Sequence, residues 1–72
     1  MKIILSTHTA TGFYFRGIDG FQTIAVVKST SWRMPQEDGT IKARKDFDGR
    51  TLEVVYAEYD NKRVIITAYY VD

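Results

Sequence analysis

Apolar and polar residues alternate with a period of two through the second half of the chain. Ile41, Ala43 and Phe47 are interleaved with Lys42, Arg44 and Asp46, and after Asp48-Gly49 the alternation resumes over residues 51–59. The pattern predicts three consecutive antiparallel strands over residues 40–71, joined by two tight turns. Asp-Gly favours a two-residue type I′ turn because both central positions need a positive φ. That turn sets Phe47 opposite Arg50, Arg44 opposite Glu53, Ala43 beside Val54 and Ile41 beside Tyr56. Asp60-Asn61-Lys62 predicts a three-residue loop with Asn61 left-handed, which places Val54 opposite Ala68 and Tyr56 opposite Ile66. A two-residue loop there would slip the register by one and mix the two faces.

In this register the sheet has one apolar side, carrying Ile41, Ala43, Leu52, Val54, Tyr56, Val64, Ile66, Ala68 and Tyr70, which has to be buried. The other side carries Lys42, Arg44, Asp46, Glu53, Val55, Thr67 and Tyr69. It is the side to search for chemistry, although an ordinary solvated sheet face has the same composition.

The first half is less regular. Residues 2–5 are a short β-prone run, either an edge strand or a lead-in. Ser6 and Thr7 suit an N-cap, and residues 8–16 predict a two-turn helix ending at Gly17, a good residue just past a helix end. Asp19 followed by Gln22 matches a capping box, and Phe21, Ile24, Ala25, Val26 and Val27 supply apolar positions for a helix running to Lys28. The same β-branched run also fits a strand. Residues 29–39 have no period and read as a loop, with Trp32 expected to tuck against the core.

With 72 residues there is room for one domain, 1–72, and one small core. An apolar share of 44% argues for a folded chain. The formal charge of +1 means that binding to a polyanion would depend on a local patch. The absence of Cys excludes disulfides and thiolate zinc sites, and a single His with no Gly-rich phosphate loop gives no reason to expect a metal or cofactor. Residues 1–5 are too short for a signal-peptide hydrophobic region and no run approaches about 18 apolar residues, so a soluble cytoplasmic protein is expected.

His8, Arg16-Gly17-Ile18, the basic strand Lys42-Ala43-Arg44, Leu52-Glu53-Val54-Val55-Tyr56 and Val64-Ile65-Ile66-Thr67-Ala68-Tyr69 occur in an order that resembles a family of small bacterial domains of unknown function. That family looks like a branch of the barnase, EndoU, colicin tRNase and RelE superfamily, close in plan to RelE and BrnT toxins. The resemblance implies an α+β fold with two short N-terminal helices packed on a three- or four-stranded antiparallel sheet. It also implies metal-independent RNA cleavage, as in the toxin of a toxin-antitoxin pair, with RNA as substrate and an antitoxin protein as partner. Cleavage by the ribose 2′-OH needs a proton acceptor, cations for the phosphorane and a donor to the leaving oxygen. Carried over by position, His8 is the acid or base, Arg16 with Arg44 or Lys42 clamps phosphate, and Thr67 and Tyr69 donate hydroxyls. Apart from that carry-over, Trp32, Lys42 and Arg44 are the residues expected to hold RNA.

Plain structural roles compete with each of these. His8 fits a solvated or capping residue, Arg16 a helix C-terminus, Lys42 and Arg44 strand guards against aggregation, Arg44 with Glu53 a cross-strand pair, and Tyr69 a sheet aromatic. A chain far less basic than ribosome-dependent toxins also fits a non-catalytic module, in which Trp32, Tyr69 and the basic strand bind protein or nucleic acid.

Overall fold

The computed structural model describes residues 1–71, and among them lie two helices and one five-stranded sheet. Strand β1 spans Lys2–Ile4, helix α1 Thr7–Phe15, helix α2 Gly20–Ser29, β2 Trp32–Pro35, β3 Thr40–Phe47, β4 Arg50–Tyr59 and β5 Lys62–Tyr70. The sheet order is β1-β5-β4-β3-β2, antiparallel except for the β1·β5 pair, which is parallel. The class is α+β as expected, but the sheet has five strands and is mixed. No helix among the described residues is long and apolar enough to cross a membrane.

Local chemistry explains the helix ends. Ser6 is extended and its Oγ accepts from Thr9 N at 3.2 Å, which caps α1. At the other end Gly17 has φ +70, Gly17 N donates to the Tyr14 carbonyl and Ile18 N to the Phe13 carbonyl. This is the Schellman arrangement, and its accompanying apolar contact joins Phe13 and Ile18, both in the core. Asp19 Oδ1 accepts from Phe21 N at 2.8 Å and starts α2 after a four-residue link from the end of α1. The β-branched run that fits either state is a helix: Thr23, Val26 and Val27, spaced at i, i+3 and i+4, are its buried residues.

Both hairpin turns have two residues in the left-handed region, Asp48 (φ 52) with Gly49 (φ 82) and Asp60 (φ 50) with Asn61 (φ 63). The β3·β4 register agrees at each pair named from the sequence. In β4·β5, Val54 does face Ala68, but Tyr56 faces Ile65, not Ile66. The loop expected to have three residues has two, and a β-bulge opposite Val55/Tyr56 absorbs the resulting slip. Consequently Ile65 is buried, and Ile66, expected in the core, is 46% exposed.

Residues 29–39 are not all loop. Thr30 Oγ1 hydrogen-bonds the Arg44 carbonyl and accepts from Trp32 N, which leads the chain into edge strand β2. Trp32 and Met34 turn away from the core, while Arg33 goes beneath the sheet. Its Nη1 donates to Tyr56 Oη at 2.6 Å and its Nη2 to the Val27 carbonyl at 2.8 Å. Arg63 Nη1 donates to the same carbonyl at 3.0 Å. Two guanidinium groups thus hold the C-terminal end of α2, where the helix dipole is negative. The core joins Phe13, Ile18, Val26 and Val27 of the helical layer to Ala43, Leu52, Val54, Tyr56, Ile65 and Ala68 of the sheet. Both helices therefore cover one face, and the opposite face is open.

Candidate functional site

Register brings four side chains into one row across four strands of the open face. Trp32 pairs with Arg44, Arg44 with Glu53, and Glu53 with Tyr69. The Arg44 guanidinium carbon lies 4.5 Å from the centre of the Trp32 ring, and its Nε donates to Glu53 Oε1 at 2.7 Å. The Tyr69 hydroxyl donates to Glu53 Oε2, and Lys42 Nζ stands 3.8 Å from that oxygen. Arg44 and Tyr69 close over the carboxylate, so Glu53 is only 2% exposed although no helix covers it. Trp32 and Tyr69, the aromatic ends of the row, are each 37% exposed.

The row is also an electrostatic unit. Burial pushes the Glu53 carboxyl up, but the hydrogen bonds from Tyr69 and Arg44 and the charges of Arg44 and Lys42 outweigh it and hold the group below its ordinary value. Accepting from the phenol as an anion, Glu53 in turn raises Tyr69, helped by burial and opposed by Arg44. At neutral pH the unit is a buried carboxylate with two cations and a neutral phenol around it, and one positive charge is left over.

Beside the row a depression of about 570 Å³ lies between Met34, Lys42 and Val55 of the sheet and the loop 36–38. Asp38 shapes that loop by accepting from Thr40 Oγ1 at 2.6 Å and Thr40 N at 3.0 Å, and these bonds lower its pKa. Thr67, paired with Val55, lies on the same face. By register Lys2 and Lys62 share it as well.

Of the residues singled out from sequence, Lys42, Arg44, Thr67, Tyr69 and Trp32 are brought together here. His8 and Arg16 are not. His8 is exposed in the first turn of α1, and Arg16 caps the other end, its Nε 3.3 Å from the Gly12 carbonyl and its guanidinium over the Phe13 ring. Both belong to the layer on the opposite side of the sheet. Trp32, expected in the core, is an outer-face residue stacked by Arg44. Glu53, which organises the site, is placed by the sequence on the polar face and opposite Arg44, but is given no role there in binding or chemistry. The same register that sets Val54 opposite Ala68 sets Glu53 opposite Tyr69, and that was the signal available.

No family model matches the chain, and no curated protein or solved structure shows significant similarity to it.

Proposed function

We propose that this chain is a binding module whose open sheet face takes single-stranded RNA without cleaving it. The observation that carries the proposal is the row Trp32–Arg44–Glu53–Tyr69, with half-exposed aromatics at its ends and cations between them. Bases stack on aromatic faces irrespective of sequence, and Lys or Arg beside them meets the phosphates. Glu53 orients Arg44 before any ligand arrives, which reduces the ordering cost of binding. The acidic loop residues Glu37 and Asp38 border one end of the depression and direct phosphates away from it, towards Lys42 and Arg44. The choice of RNA also rests on the resemblance to RelE and BrnT toxins.

Binding is favoured over cleavage because the transfer of roles to His8 and Arg16 asks them to meet Arg44 and Tyr69 at one phosphate, whereas the two sets lie in different layers. On the open face the phenol is shifted away from neutrality and the carboxylate is already engaged by two donors.

Fluorescence anisotropy of a labelled mixed-sequence RNA of about ten nucleotides, in EDTA, tests the proposal. Wild type should bind with a dissociation constant in the micromolar range, and Trp32→Ala should weaken binding about 5- to 30-fold, the worth of one lost stacking partner. Because Glu53 partly neutralises Lys42 and Arg44, the slope of log K against log salt should be shallow, about −1 to −2. The RNA should be recovered intact. Absence of binding, or equal binding by Trp32→Ala, would overturn the proposal. Fragments ending in 2′,3′-cyclic phosphate that disappear with Tyr69→Phe would turn the face from a binding site into a catalytic one.

A further inference from the structure

The helical layer carries a second exposed surface of different chemistry. Tyr14 and Phe15 at the end of α1 and Phe21 at the start of α2 are 79%, 80% and 85% exposed. Phe13 just before them and Ile18 between the two helices are buried, so the same segment turns other large apolar side chains inward and leaves these three outside. Between the helices, next to Tyr14 and Phe21, a groove of about 400 Å³ is lined by Leu5, Ala10, Ile18 and Ile24. One patch therefore holds both projecting rings and an apolar recess.

We propose that two copies of this chain associate through this patch about a two-fold axis, each placing Phe21 in the other's groove. A two-fold interface uses the same surface on both partners, so projection and recess have to lie on one patch, as they do here. Area agrees. Three nearly free aromatic side chains from each copy, at about 150–250 Å² apiece, bring burial to roughly 1,000 Å², the lower bound for specific association. The open sheet face stays free in such a pair, because it lies on the other side of the molecule.

Sedimentation equilibrium from about 1 µM to about 1 mM reads the association directly, since an interface of this size gives micromolar affinity or weaker. The weight-average mass should rise with concentration from one chain towards two. Phe21→Ser and, separately, Tyr14→Ser should each raise the dissociation constant at least about tenfold while the circular dichroism spectrum is unchanged. The emission of Trp32, the only tryptophan and an open-face residue, should not change on association. Three results would each overturn the proposal. The first is a wild-type monomer at all concentrations, which would leave the patch to another protein or another segment. The second is undiminished association of both variants. The third is a Trp32 emission shift that tracks the mass.

Discussion

Glu53 gathers the cations and the phenol of the open face, and it does so only while ionised. Its folded pKa lies below the ordinary glutamate value of about 4.3, so its contribution is present above that value and is lost as pH falls through the folded pKa. Tyr69 behaves in the opposite sense. Its folded pKa is raised, so its contribution is complete below about pH 10 and is lost as pH rises further. Urea midpoints of the wild type should therefore decline on both the acid side, below about pH 4, and the alkaline side, above about pH 10. Glu53→Gln should lower the plateau at neutral pH and make both limbs shallower, and parallel profiles would refute the coupling. A second contrast concerns adjacent isoleucines. Ile65→Ala should cost about 2–4 kcal/mol in urea unfolding, because Ile65 is 2% exposed in the core, whereas Ile66→Ala should stay within about 0.5 kcal/mol. Equal losses would place the bulge elsewhere.

Two glycines show how an element sets the sign of one chemical change. Gly49 sits at φ +82 in the β3·β4 turn with no atom within 4 Å of an added Cβ, so Gly49→Ala meets no clash but should still cost about 1–2 kcal/mol for its left-handed backbone. Gly12 lies inside α1 with equally open surroundings, and Gly12→Ala should stabilise by about 0.5–1 kcal/mol. Thermal midpoints that moved the same way would contradict both assignments. Legibility from sequence also varied by element. The β3·β4 hairpin was legible because Asp48-Gly49 admits one turn geometry, and the helix ends because Ser6, Gly17 and Asp19 act locally. The β4·β5 register was not, since a bulge at Ile66 leaves no mark in the alternation. Strand β2 was hidden because its core-side residues are Arg33 and Pro35 and its outer ones Trp32 and Met34, the reverse of the usual pattern. For the site, alternation placed Lys42, Arg44, Thr67 and Tyr69 on one face, as observed. The apolar side of the sheet identified the face the helices would cover, yet order along the chain brought His8 and Arg16 into a site on the other side.

At the scale of the molecule, the fold is two layers, with one side of the sheet left bare. A small domain buries little of its surface, and a sheet normally packs both faces or solvates one with polar residues. Here the bare face mixes Lys2, Lys42, Arg44 and Lys62 with exposed Met34, Ile66 and Tyr59. Such a mixture suits a ligand that is itself part aromatic and part charged. Amide and indole chemical-shift mapping during titration with the ten-nucleotide RNA tests this assignment most directly. The largest changes should fall on Trp32, Lys42, Arg44, Val55 and Tyr69, with residues 8–16 of α1 unmoved. Changes concentrated at His8 and Arg16, with the Trp32 indole still, would contradict it.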